Sequence, residues 1–180
     1  VTVLTDLTSQ VIGYLLAQAA SSPALGAAPV PVAVIDGQPV TQDVLVVNET
    51  GLTQRLWVGS PGFTESGLSA AATSHQGFAF LDQARTRDLD FDVQCAAEAV
   101  AGLSVMAEAR DGAFGVLRAV ELMLRGSPGT TPPSSGDASM GGLVYWSEVT
   151  GPIELEQEQA QSGAIALVKF HVTGYVRLTS

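Results

Sequence analysis

Two sets of carboxylates recur at every second position of this chain: Asp88, Asp90 and Asp92, and then Glu154, Glu156 and Glu158. On an extended strand, residues two apart point to the same side, so each set forms an acidic ladder on one face. Such a ladder could bind a hard divalent cation through its oxygens, or supply an acid/base pair. A divalent site usually adds ligands from a loop with Gly at a sharp turn, and no such added ligands are apparent here. Two other readings remain: a solvated sheet face, and a negatively charged wall lining a channel in a ring.

Other chemistry is sparse. His75 and His171 are the two imidazoles. His171 lies mid-strand among valines, which suits a structural or interface histidine better than a general base. His75 falls in a polar excursion and reads as a surface residue. The lone Cys95 belongs to the apolar side of its strand, as a packed thiol rather than a reactive thiolate. It cannot form an internal disulfide, and a reducing cytoplasm is the simplest compartment. No GxSxG elbow, P-loop or GxGxxG follows a strand. No catalytic residue, no cofactor and no metal are therefore expected, and the chain does not read as an enzyme.

The elements that would position these groups follow from periodicity. Leu7, Val11, Tyr14, Leu15 and Gln18 fall at helical spacing after a cap at Thr5 or Asp6. The small residues from Ala19 to Pro31 read as a loose connection. Pro31 to Ile35 is a short strand ended by the turn pair Asp36-Gly37, and Asp43 to Asn48 and Arg55 to Gly59 are two more. Val44 to Val47 and Trp57 would supply their buried faces. Ser60 to Phe80 reads as an excursion from the sheet with a helical turn at Leu68 to Thr73. Its Phe63, Phe78 and Phe80, with His75, either mark a partner-contact surface or tuck the segment onto its own core.

From Arg87 to Ala97 the period is two. Leu89, Phe91, Val93 and Cys95 alternate with Asp88, Asp90, Asp92 and Gln94. Ser104 then opens a helix ending near Arg125 before Gly126, with Met106, Ala109, Ala113, Leu117, Val120 and Leu124 as its apolar stripe. Gly112 and Gly115 each cost about 1 kcal/mol there relative to Ala, and close packing is the expected compensation. Ser127 to Ser139 is a low-complexity loop, flexible in the free protein, and its Pro132 and Pro133 are candidate partner contacts. Gly142 to Val149, Pro152 to Gln159 and Ala164 to Leu178 read as strands, with a hairpin turn at Ala160 to Gly163. That turn sets Glu154 opposite or diagonal to Lys169.

Composition bounds the whole. The 180 residues suit one well-buried domain, with an excursion at about 60–80 and a loop at about 127–139. The expected class is α+β: a mixed, mainly antiparallel sheet with two main helices on one face. Hydrophobic residues make up 46% and charged residues 14%, so part of the surface is expected to be covered by partners. The net charge of −10 offers nothing for gripping nucleic acid, though an acidic wall suits DNA that must slide. No apolar run approaches the ~20 residues of a membrane span, and residues 1–30 lack a signal-peptide pattern, so no membrane partner is expected.

The order of elements resembles the tail terminator family of long-tailed (siphovirus-type) actinobacteriophages. The resemblance rests on the N-terminal helix, the strand Asp88 to Cys95, and the helix ending Phe114-Gly115-Val116-Leu117-Arg118-Ala119-Val120-Glu121-Leu122-Met123-Leu124-Arg125. It continues in Gly141 to Val149 and Ser162 to Val172, and covers about half of the chain. The resemblance implies a structural virion protein of the tail or neck. Six copies would form a ring that caps the tail tube, stops its polymerisation, docks the head connector or stopper protein and leaves a channel for DNA. Tube protein, connector and further copies of the chain would be its partners, and DNA would pass without specific binding. The segments Ser60 to Phe80 and Ser127 to Ser139 depart from the leaner family pattern and would serve as contact arms. A head–tail stopper or adaptor, a tail tube subunit, and a cytoplasmic metal-dependent enzyme using the acidic ladders are the rival readings.

Overall fold

A computed structural model describes residues 4–26, 31–37, 51–59, 72–81, 84–102, 105–125, 137–160 and 163–179. Helix α1 (Leu4–Ser21) buries Leu7, Val11, Leu15 and Ala19, a stripe at four-residue spacing. It starts before Thr5 and Asp6, so neither is its cap. Gln18 is exposed, because Ala19 and not Gln18 continues the stripe. The expected loose connection is in part ordered: α1 runs on to Ser21, and α2 (Pro23–Gly26) buries Leu25 against the same core.

Six strands form one sheet: β1 (Val32–Asp36), β2 (Leu52–Val58), β3 (Ala72–Leu81), β4 (Ala84–Ala101), β5 (Trp146–Ala160) and β6 (Gly163–Thr179). Their order is β1-β2-β4-β6-β5, and β3 pairs with β4 off this path. The long β4 makes this possible. β3 pairs with Ala84 to Val93, β2 with Cys95 to Ala101 along the same edge, and β6 with the other edge. Only β1 and β2 are parallel; the rest is antiparallel. Helices α1 and α3 (Met106–Arg125) pack on one face, so the fold is α+β as expected. The core lies between them and Leu89, Phe91, Val93, Cys95, Ala97 and Ala99 of β4, with Ala166, Val168, Phe170 and Val172 of β6.

Helix α3 ends at Arg125 and buries the expected stripe from Ala109 to Leu124, together with Val116 and Ala119. The expected cap Ser104 lies outside the described residues. The two helix glycines differ. A Cβ on Gly112 would stand 3.0 Å from Cβ of Ala99 and 3.1 Å from Nε2 of Gln54, whereas one on Gly115 would meet nothing within 4 Å. Close packing therefore accounts for Gly112 and not for Gly115.

Two further expectations are corrected. The excursion Ser60 to Phe80 is a strand from Ala72 onward, so Thr73 belongs to no helical turn; pairing with β4 supplies the hydrogen bonds that its weak alternation does not announce. The strands expected at Gly142 to Val149 and Pro152 to Gln159 are one strand, with a register shift between Thr150 and Glu154, and Gly142 to Tyr145 precede it as turn and bend. Pro152, which has no N–H to give a ladder, falls inside that irregularity. Residues 151–159, Ile153 and Leu155 among them, are all exposed on an edge strand. The strand expected at Asp43 to Asn48 lies outside the described residues, as do Phe63, Pro132 and Pro133.

Candidate functional face

Side chains alternate across a strand, so burial of the odd-numbered β4 residues against the helices turns Asp88, Asp90, Asp92 and Glu98 to the opposite face. The register carries this across the sheet. Asp92 lies opposite Thr173 of β6, Glu154 of β5 lies opposite Lys169, and Thr173 and Lys169 share a side. Both acidic ladders thus occupy the face away from the helices. Asp88 and Asp92 are half-buried, while Asp90, Glu154, Glu156 and Glu158 are exposed.

The ladders do not converge. The aspartates lie opposite Thr173 to Arg177 and the glutamates opposite Ile165 to Lys169. The nearest members, Asp92 and Glu154, are four residues apart along β6, about 13 Å, and stand on either side of that strand. A divalent cation takes its oxygens at about 2.3–2.6 Å, so one ion cannot bridge the ladders. No group of three or more His, Cys, Asp or Glu among the described residues is placed to hold a metal.

Basic side chains on this face divide it. Nζ of Lys169 donates to Glu156, one step diagonal from the Glu154 that stands opposite it. Nδ1 of His171 lies 2.7 Å from Oδ1 of Asp92, which gives His171 a structural contact. Farther along, Glu98 accepts Nε1–H of Trp57 at 3.0 Å and pairs with Arg55 at 3.5 Å, with its side chain only 7% exposed. Trp57, Ala96 and Leu167 pack together beside it. Glu98 continues the even-numbered series past Cys95, so extending the period by a few residues would have found it.

At the other end of the sheet stands an aromatic group. Tyr145 and Trp146 are 62% and 44% exposed, and the Tyr145 ring stacks on Tyr175 with centroids 6.1 Å apart. His75 lies opposite Asp90, Asp90 opposite Tyr175, and Tyr175 opposite Trp146, so four strands contribute one transverse row. His75 is exposed, as expected of a surface residue. Phe78 and Phe80 lie on β3 opposite Arg87 and Arg85.

Two groups behind the face are structural. Cys95 is buried, and burial, reinforced by the charge of Asp92, pushes its thiol up to about 12. Asp137 ends the low-complexity segment, and from it onward the chain is anchored, contrary to a loop free through Ser139. Its carboxylate accepts Oγ–H of Ser139 at 2.6 Å, N–H of Ser139 at 3.0 Å, O–H of Tyr14 at 2.8 Å and N–H of Gly141. The hydrogen bond from Ser139, then those from Tyr14 and the backbone, hold the carboxyl below its usual range although burial opposes them. Burial first, then Asp137, push the Tyr14 phenol up to about 12. Asp followed two residues later by Ser is a local turn signal that could have marked this anchor.

No helix among the described residues is long and apolar enough to cross a membrane. Comparison of the sequence with models of protein families finds no match, and comparison with curated proteins finds none either.

Proposed function

We propose that this chain is a structural virion protein of the tail-terminator kind. Copies form a ring, six by the family pattern, that caps the tail tube, ends its polymerisation and joins it to the head connector around an open DNA channel. The observation that carries the reading is the placement of both acidic ladders on the sheet face opposite the helices. Carboxylates on one broad surface repel a phosphate backbone, which favours passage of DNA over its capture. The chemistry is stoichiometric contact, not turnover. Heterologous contacts related by rotation close such a ring.

The test is the mass of the purified protein in solution, followed by negative-stain images with and without tail tubes. Rings, or density capping one tube end, are expected. Long tubes formed by the protein alone would make it a tube subunit, and a ring that binds the connector but ignores tubes would make it a stopper. Reversing Glu154, Glu156 and Glu158 together, away from the Asp90 row, is expected to slow DNA passage, and unchanged infectivity would remove that ladder from the channel.

A further inference from the structure

The aromatic–acidic row and the outer side of α3 lie on opposite faces of the sheet, and their chemistries are complementary. On α3, Arg110, Phe114 and Arg118 follow each other at four-residue spacing and are exposed, so they form one ridge. Phe114 is 39% exposed, and the Arg110 side chain, 45% exposed, has only a 3.9 Å contact to its neighbour Asp111. Arg118 has no ion pair among the described residues. From Arg110 to Arg118 the ridge is about 12 Å long. The row His75, Asp90, Tyr175, Trp146 crosses three strand spacings, about 14 Å. Exposed Tyr and Trp beside a carboxylate make a surface suited to a guanidinium, which stacks on the rings and pairs with the acid. Aromatic residues and arginine are also the types enriched where proteins meet.

We propose that two copies of this chain dock head to tail, with the α3 ridge of one seated on the aromatic–acidic row of the next. Arg110 and Arg118 reach Asp90 and the rings of Tyr145 and Trp146, and Phe114 packs between them. Because donor and acceptor surfaces lie on opposite faces of the same sheet, each bound copy still presents a free ridge and a free row. Such a contact repeats, and it ends only when a ring closes. The inference rests on the ring reading above and names the contact that would build it.

Two variants test it. One loses the ridge (Arg110→Glu, Phe114→Ser, Arg118→Glu) and the other loses the row (Asp90→Arg, Tyr145→Ser). All these side chains are exposed, and circular dichroism should show both variants folded. Sedimentation is expected to give an assembly for the unaltered protein and a monomer for either variant, with association at least tenfold weaker. An equimolar mixture of the two variants should restore a dimer and nothing larger, since one intact ridge meets one intact row. Assemblies that survive in either variant, a mixture that stays monomeric, or an unaltered protein that is monomeric at every accessible concentration would overturn the contact. Tube capping separates the two ideas. Capping rings formed by both variants would sink the contact and leave the terminator reading; a rescued dimer from a protein that never caps tubes would do the reverse.

Discussion

His171 and Asp92 are joined across β6 and β4 by a 2.7 Å contact between Nδ1 and Oδ1, and the backbone of Gly151 closes over the other side of the imidazole. A Cβ on Gly151 would stand 2.9 Å from Cδ2 of His171, and its φ of +86° already disfavours any side chain. Gly151→Ala is expected to destabilise the protein by at least about 1–2 kcal/mol from the backbone alone, with the ring collision adding to it. In a His171→Ala background the ring collision is gone, and the backbone part with a 3.3 Å approach to Cβ of residue 171 should remain. Chemical denaturation of the four proteins measures the coupling.

Gly112 and Gly115 should respond in opposite directions. Alanine at an exposed helix position gains about 0.5–1 kcal/mol, and Gly115→Ala is expected to show that gain because its Cβ meets nothing. At Gly112 the Cβ would press on Ala99 of the central strand β4, which has no flexible end to move aside. Overpacking costs of about 1–3 kcal/mol then exceed the helical gain. Melting temperatures of the two variants give the signs.

The Asp137 anchor predicts a defined pH dependence. A carboxyl held below its usual range stabilises the fold above about pH 4, and that contribution is lost as pH falls through the folded-state value. Asp137→Asn should flatten the acid limb of the stability curve. The Tyr14 phenol behaves oppositely: raised to about 12, it contributes below about pH 10 and loses its effect as pH climbs through 12. Tyr14→Phe should cost about 1 kcal/mol at neutral pH and remove the high-pH phenolate absorbance of that residue.

Cys95 should be inert in the native protein. With its thiol pushed up to about 12 and its side chain buried, a thiol reagent at pH 8 is expected to label nothing until denaturant is added, and then one thiol per chain. Rapid labelling of the folded protein would mean that β4 opens.

Deleting residues 127–136 should leave the fold intact while impairing ring closure or head joining, with stability read by melting and assembly by sedimentation. Extending the deletion through Ser139 should destabilise it, because Asp137 and Ala138 then no longer hold Tyr14 and Ser147.

Local order was legible in the sequence wherever a period ran unbroken over a long element. The two-residue alternation from Asp88 to Cys95 identified the acidic and apolar sides of β4, and the three- and four-residue steps marked α3. The short turn at Ala160 to Gly163 brought Glu154 opposite or diagonal to Lys169, of which the register is the first. These follow from the backbone repeat of each element and the aversion of apolar side chains to water, both written in neighbouring residues. What lies across the sheet was not written there. Whether Ala72 to Leu81 is a strand depends on a partner edge on β4, and the exposure of Ile153 and Leu155 comes with the place of β5 at the sheet edge. Glu98 meets Arg55 and Trp57, Asp137 meets Tyr14, and Gly151 covers His171 only once distant segments meet. The chain by itself determined which residues face which side of each element. Only the tertiary structure decided that both acidic ladders share one face and lie apart on it, because strand register is set by pairing between segments far apart in sequence.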